Sequence, residues 1–442
     1  MNKESVLNIG FDDTDSPTGM CTTFLAYKIV DLLQKQKTEF LDFPKLIRFN
    51  PNIPWKTRGN GAVSLKIKTK NPSKIKNQIK NLVSKYSDTK NGANPGLVFF
   101  ESNSIPSEFT KFSNLALWQL INRNNAKKFA KKNKLDFFYE GNGQGLVGAI
   151  SAIGYDFHDH TLELLSYRKK RKFGKERKIS VDSVKKMQEK TFPYTFNSFD
   201  TKKGRVLITP HGPDPVFYGV RGENVDSLVN ATKILKSNEK LDGYMIFKSN
   251  QGTGDHLKNE LNFETMKPYA SGTLSGIVSN IPKIVKGGHV FFTIISKNHE
   301  FWCAVYKETG ISTIASNLII GDEISIGGGV RKASKNFPRI INLEFIEIIH
   351  LKKNLSKSNP MCKKCSKKMK SKGQNQGFQC IRCGKKSSNK ITVEIPRKVK
   401  KQLYIPKISA HRHLTRPLQR TGIINKTSKF DESLSWFCVY RN

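Results

Sequence analysis

The chain has 442 residues, 37% of them hydrophobic and 10% aromatic, and its 76 lysines and arginines against 36 aspartates and glutamates leave a formal charge of +40. That length exceeds what one core serves and predicts about two to four domains, while the apolar content excludes wholesale disorder. So large a charge points to a polyanionic partner, nucleic acid; a lysine-rich coding bias exchanges arginine for lysine but does not by itself deplete acids.

The charge is uneven: from Leu351 to Asn442 there are 24 basic residues, and the only acids are Glu394, Asp431 and Glu432. No leader-like segment precedes the first apolar run. No apolar run approaches the roughly 18–20 residues of a membrane span. Seven cysteines, an odd number with four in paired spacing, fit a reducing interior better than a disulfide framework. These features predict a cytoplasmic enzyme without membrane association, and nothing in them predicts a protein partner.

In chain order, Ser5 to Phe11 reads as a strand and Asp12 to Gly19 as a loop of turn formers. Cys21 to Leu33 reads as a helix, with Leu25, Ile29, Leu32 and Leu33 on one stripe. Lys56 to Gly61 is a glycine turn, and Ala62 to Lys68 alternates as a strand. Lys74 to Tyr86 and about Ser113 to Lys132 are helical. The run Gly141 to Gly148 opens another helix, Thr161 to Tyr167 is a strand, and Lys169 to Lys178 is a basic loop. Strands follow at Val206 to Thr209 and Gly243 to Phe247, with a helix near Val225 to Leu235 between them. Past Tyr269 short strands take over: Ser271 to Ser279, Gly288 to Ile295, Phe301 to Tyr306, Glu323 to Gly327 and Ile340 to Ile349, with a glycine-rich turn at Gly327 to Gly329. Five strands in about 80 residues suit a small OB-type barrel, a generic antiparallel sheet being the alternative. The whole reads as a multidomain α+β chain.

Cys362-x2-Cys365 is followed after 14 residues by Cys380-x2-Cys383. Two such knuckles complete a tetrahedral four-sulfur site with no open position, which predicts a structural Zn2+. The surroundings are basic rather than apolar, so the metal must supply much of the folding free energy. Asp12, Asp13 and Asp15 crowd three carboxylates at the tip of the first strand, a cluster stable mainly when a cation sits on it. Mg2+ takes one or two carboxylates together with phosphate oxygens, and the start of the next helix favours phosphate at the same place. Together these describe a nucleotide-phosphate site; an Asx-turn with a helix cap would use the same residues. Thr22 and Thr23 in the first turn serve either as caps or, beside a metal-bound phosphate, as a phosphoryl acceptor.

The glycines Gly59 and Gly61 let backbone approach a ligand closely, and Gly143-x-Gly145-x-x-Gly148 is a substrate-facing loop or an ordinary tight turn. His158-Asp159-His160 reads as solvated polar surface rather than a metal site.

Ile9-Gly-Phe-Asp-Asp-Thr-Asp-Ser-Pro-Thr-Gly-Met-Cys-Thr-Thr23 resembles the opening signature of the TiaS family, archaeal 2-agmatinylcytidine synthetases. The similarity continues through Arg48 to Ala62, Gly145 to Ala149, Thr161 to Leu164, Tyr218 to Gly222, Gly287 to Phe292, the cysteine pairs and Ser409 to Leu418. The resemblance implies a kinase-like ATP-binding catalytic domain (1–60 with 135–200) interleaved with a ferredoxin-like domain (61–134 with 201–265). An OB fold (268–352), a zinc ribbon (355–395) and a basic C-terminal tail (396–442) follow.

It implies a ligase that forms a C–N bond, using ATP to attach agmatine to carbon 2 of the wobble cytidine of the AUA-decoding isoleucine tRNA. The intermediate is a phosphorylated cytidine, since the C2 oxygen leaves only once phosphorylated. By similarity Asp12, Asp13 and Asp15 hold Mg2+ and the ATP phosphates, Thr22 is the self-phosphorylated threonine, and Lys56, Arg58, Gly59, Asn60 and Gly61 clamp phosphate or tRNA. Phe24 and Gln144 depart from the family's usual hydroxylated aromatic and basic residue. Agmatine is a dication, so its pocket must be locally acidic, and Asp156, Asp159 and Glu163 are the candidates, three merely exposed acids being the alternative. The competing reading is a non-catalytic RNA-binding factor built from an OB fold and a zinc ribbon.

Overall fold

Strand β1 (Ser5–Asp12) buries Leu7, Ile9 and Phe11 and ends in the acid cluster. The computed structural model describes residues 4–335, 337–426 and 430–440. Helix α1 (Thr22–Lys35) follows, burying Leu25, Ile29 and Leu33, which recur at helical spacing. Strands β2 (Glu39–Phe40), β3 (Lys45–Arg48) and β4 (Gly61–Thr69) lead to helix α2 (Pro72–Tyr86) and strand β5 (Gly96–Glu101).

The helical region predicted from Ser113 to Lys132 is two helices, α3 (Ser107–Trp118) and α4 (Arg123–Lys132). Asn122 divides them: its side chain accepts the Asn124 N–H at 2.9 Å and caps α4. Then come β6 (Asp136–Tyr139), α5 (Gly145–Gly154), β7 (Thr161–Arg168), α6 (Val181–Thr191), β8 (Thr195–Phe196), β9 (Phe199–Asp200) and β10 (Arg205–Val206). β11 (Val216–Gly222), α7 (Val225–Ile234) and β12 (Leu241–Ser249) complete this stretch. Of the predicted strand Val206–Thr209, only Val206 pairs, with Phe199. β11 has no counterpart in the sequence reading; it runs between β7 and β8.

Apart from β9 and β10, which pair with each other, these strands form one sheet in the order β6-β5-β1-β4-β3-β12-β7-β11-β8, with β2 also on β4. β12 joins β3 in parallel and β7 in antiparallel register. The sheet is continuous through all the segments that the sequence divides between two interleaved domains. Helix α5 packs on β1, β4 and β5.

The next strands are β13 (Ser271–Val278), β14 (Lys283–Ile284), β15 (Val290–Ser296) and β16 (His299–Val305). A short helix α8 (Ser312–Ala315) precedes β17 (Glu323–Arg331) and β18 (Ile340–His350). Five of them close a barrel in the order β13-β15-β16-β18-β17 and back to β13, with β16 and β18 parallel. Phe292, Ile294, Val305, Ile324, Ile326 and Ile341 are buried in it. The glycine turn predicted at Gly327 to Gly329 lies inside β17 instead. Gly329 answers to crowding rather than turning, since a Cβ there would fall 2.1 Å from Asn52 Nδ2.

Strand β19 (Asn354–Ser358) leads to the three short strands β20 (Lys370–Ser371), β21 (Phe378–Gln379) and β22 (Lys386–Ser387). β23 (Ile391–Ile395) returns to pair with β19, β24 (Leu403–Tyr404) adds to β18, and β25 (Phe437–Val439) adds to β12. The chain forms two compact units: Met1–Thr273 with Gly327–Arg339 and Pro406–Asn442, and Leu274–Ile326 with Ile340–Ile405. In the second, Arg397 Nη2 meets the fully buried Asp322 at 2.6 Å.

In the first unit the segment from Pro406 onward belongs to the core. Trp436 is buried with Phe40, Phe43 and Phe247 in one apolar cluster. Arg420 is held by Glu223 (2.7 Å) and Asp159 (3.1 Å), and Asp159 also meets Arg416 at 2.6 Å. The solvated surface expected at His158 to His160 is therefore corrected. Asp159 and His160 are buried, His160 N–H reaching the Asn425 carbonyl at 3.2 Å, and only His158 is exposed. Asp159→Ala leaves two guanidinium groups short of a buried partner and should cost about 3 kcal/mol of unfolding free energy, read by urea denaturation. No helix among the described residues is long and apolar enough to cross a membrane.

Candidate active site

Every residue singled out from the sequence for nucleotide chemistry lines one cavity of about 470 Å³ in the first unit: Asp12, Asp13, Asp15, Thr22, Lys56, Arg58, Gly59, Asn60 and Gly61. β1 delivers the acids from its tip, α1 presents Thr22 in its first turn, and the loop before β4 supplies the basic wall.

Asp12 lies against the first turn of α5, where Gly148 makes room: a Cβ there would fall 1.9 Å from Asp12 Oδ2. Burial first, then the charges of Asp13 and Asp15, push the Asp12 carboxyl well above its ordinary range. Burial and then Asp15 push Asp13 up to about 7. Asp15, expected to share a cation with Asp12 and Asp13, is instead paired with a side chain of the protein. Arg58 Nη2 meets it at 2.7 Å, donates to the Met20 carbonyl at 2.7 Å, and Nη1 reaches Asp214 at 3.3 Å. Asp12 and Asp13 are thus two crowded carboxyls without a cationic side chain at ion-pair distance among the described residues, a donor set that suits a divalent ion.

Both shifts bear on stability. A native value raised above the unfolded one means that the native state holds the extra proton, so stability falls as pH rises from about 4 through about 7. Asp13→Asn removes that loss. In a metal-free buffer it should gain about 2 kcal/mol on the wild type between about pH 5 and pH 7, at roughly 1.4 kcal/mol per unit, in denaturation curves. Magnesium should close the gap.

Cys21 occupies the N-cap of α1 without a side-chain cap, and its carbonyl takes the Phe24 N–H at 3.0 Å. Thr22 is buried, and its Oγ1 accepts a hydrogen bond from Thr14 Oγ1 at 3.1 Å, so its own hydrogen remains available. Thr23 Oγ1 instead meets Cys21 Sγ at 3.1 Å.

Of the three acids considered for a dicationic substrate, only Glu163 lines the cavity. Asp156 is exposed outside the lining, and Asp159 is held by Arg416 and Arg420. Several lining residues were not singled out from the sequence: Arg48, Asp214, Arg221 and His413. Arg48, Arg221 and His413 fall inside stretches already recognised as similar, and a histidine within a run of basic residues was the available signal. Arg48 Nε is buried without a hydrogen-bond partner. Gln144 lines the cavity too, at the entry to α5, and Leu207 to Thr209 line it where a strand was expected. Phe24 is packed among Tyr27, Tyr86, Tyr167 and Phe173.

In the second unit Cys362, Cys365, Cys380 and Cys383 bring their sulfur atoms within 4.8 Å of one another. Ser366 and Gly384 take left-handed φ (48° and 71°) just after each pair, and their N–H groups return to the Cys362 and Cys380 carbonyls at 2.8 and 2.9 Å. Zinc–sulfur bonds of about 2.3 Å put the sulfurs of a tetrahedral site roughly 3.8 Å apart, so this cluster fits Zn2+.

Three family models match: the TiaS TCKD domain over residues 8–71, the TiaS FLD domain over 143–256 and the TiaS C-terminal zinc ribbon domain over 359–399. The isoleucine-tRNA 2-agmatinylcytidine synthetase TiaS of Cenarchaeum symbiosum is 46% identical over 98% of this chain and 97% of its own length. A crystal structure of TiaS in complex with its isoleucine tRNA and ATP superposes with a TM-score of 0.84 at 33% identity, covering 94% of this chain and 97% of that one. That of TiaS with the same tRNA, AMPCPP and agmatine gives 0.82 at 31%, with the same coverage. Likeness of this depth, running through both units and through the acid cluster at the strand tip, leaves one placement: the chain belongs to the TiaS family.

Proposed function

We propose that this chain is a cytoplasmic isoleucine-tRNA 2-agmatinylcytidine synthetase, which uses ATP to join agmatine to carbon 2 of the wobble cytidine of the AUA-decoding isoleucine tRNA. The observation that carries the reading is the cavity itself. In a chain alike over nearly its whole length to such synthetases, it gathers two crowded carboxyls, a buried hydroxyl and a helix start against a basic wall. A protein that only binds RNA has no use for that group.

Asp12 and Asp13 would hold Mg2+ with the ATP phosphates, while Arg58 keeps Asp15 in place beside them. Bound there, the ion would neutralise phosphate charge and orient the γ-phosphoryl group. Thr22 presents its hydroxyl to the same place and accepts the phosphoryl group. Phosphorylation of the cytidine O2 then creates a leaving group that the agmatine amine displaces. Lys56 and the Gly59–Gly61 turn line the basic side, suited to phosphate or tRNA backbone.

The kinase-like and ferredoxin-like characters of the large sheet are part of this proposal. The barrel's strand order, with its third and fifth strands parallel, supports an OB-type RNA-holding module. The four-cysteine cluster is assigned a structural Zn2+. The test is mass spectrometry of the wobble nucleoside after incubation with ATP, agmatine and the isoleucine tRNA transcript. An agmatine-sized mass gain on cytidine is expected, and an unmodified nucleoside with any amine sinks the reading.

A further inference from the structure

In the wall of the cavity a carboxylate, an amide and an imidazole form a hydrogen-bonded chain. Glu163, only 3% exposed, is ion-paired with Arg48 (3.6 Å) and Arg221 (3.4 Å) and accepts a hydrogen bond from Gln251 Nε2. A carboxylate flanked by two guanidinium groups only accepts, so Gln251 turns its NH2 toward Glu163 and its Oε1 toward His413 Nδ1, 2.9 Å away. Arg221 Nη2, which can only donate, competes for Nδ1 from 3.3 Å; the shorter contact, to Gln251 Oε1, places the imidazole hydrogen on Nδ1 and leaves Nε2 its lone pair. His413 lines the cavity, and its Nε2 faces the Gly59 turn, close enough that a Cβ on Gly59 would come within 2.8 Å.

The charged groups around this imidazole are Arg48 and Arg221, the latter with Nη2 3.3 Å from Nδ1, and Glu163 one amide away. Burial first, then these two guanidinium charges, hold the imidazole's pKa well below the usual 6.5. The result is an oriented, neutral acceptor, the role a carboxylate gives an imidazole when it fixes its tautomer.

We propose that His413 accepts the proton released by the attacking amine, with Gln251 and Glu163 as its positioning residues; the inference rests on the agmatine-transfer reading above. The amine nitrogen gives its lone pair to C2 of the O2-phosphorylated cytidine, and once that bond forms the nitrogen carries a surplus, strongly acidic hydrogen. His413 Nε2 takes this proton as the C2–O2 bond breaks, the electron pair leaving with inorganic phosphate. The proton then passes to the departing inorganic phosphate, a stronger base than this imidazole. A weak base suits this transfer. The earlier proton, lost from an ammonium with a pKa of about 10.4, goes to solvent.

Single-turnover assays with γ-labelled ATP separate formation of phosphorylated transcript from its conversion on adding agmatine. In His413→Ala the amine step slows by about 100-fold or more relative to the phosphorylation step of the same variant, and added imidazole restores part of it. His413→Gln, which keeps the site filled, behaves alike without the imidazole rescue. Equal slowing of both steps makes the residue a structural or cytosine-binding one and overturns the proposal, as does an unslowed amine step. The wild type offers a reading independent of variant folding: corrected for free amine, its amine step shows no acid limb near 6.5, the ordinary imidazole value. A limb there overturns the proposal. A wild type that forms no agmatinylated product overturns the agmatine-transfer reading itself.

Discussion

Thr22→Val folds normally and loses product formation by on the order of 10³-fold or more, while tRNA still binds. Valine keeps the shape of threonine, so the structural cost is the single hydrogen bond from Thr14, about 1 kcal/mol. The functional cost is the nucleophile itself, and losing a covalent nucleophile leaves only binding and electrostatic contributions to the rate. Thr22→Ser retains a hydroxyl and should keep measurable turnover. Thr23→Val is the control, because the Thr23 hydroxyl faces Cys21 Sγ. The measurement is label transfer from γ-labelled ATP to protein, together with the yield of modified nucleoside. Normal turnover by the valine variant removes Thr22 from the mechanism.

Removing the metal should be the largest structural perturbation. The ribbon's apolar core is Cys362, Met369, Phe378 and Cys380, with Cys365 packed against it, far too little to fold a segment alone. A structural zinc supplies roughly 10–16 kcal/mol in peptides of this kind. Cys380→Ser or a strong chelator should therefore unfold residues 359–399 and expose them to protease, leaving the five-stranded barrel protected. If the ribbon's lysines grip tRNA, affinity falls and the salt slope shrinks by about 0.7–0.9 for each lost phosphate contact. A protease-resistant ribbon after chelation would show that the sulfurs hold no folding metal.

Much of the candidate site was legible because its residues are close in sequence. Asp12 to Thr22 and Lys56 to Gly61 are each short runs, and the structure needs only the β1–β4 pairing to bring them together. The cysteine ligands were equally plain, since knuckle geometry is local. Partners from distant segments were not legible. Asp159 reads as surface until Arg416 and Arg420 arrive from 257 and 261 residues away. The same holds for His413, placed by Gln251. β11 escaped notice because Gly219 and Gly222 interrupt its apolar run, and its burial on the central sheet depends on neighbours β7 and β8. Gly327 to Gly329 looked like a turn because sequence alone cannot distinguish a glycine that bends from one that makes room.

β25 adds to β12, and His413 stands in the cavity wall, so early and late segments of the polypeptide finish the same unit. A ribosome must release His413 as well as Asp12 before the cavity is whole, because domains fold only as their segments emerge. Partial translation products therefore carry the acid cluster without His413 in the cavity wall, and the proposed chemistry must wait until that segment has arrived.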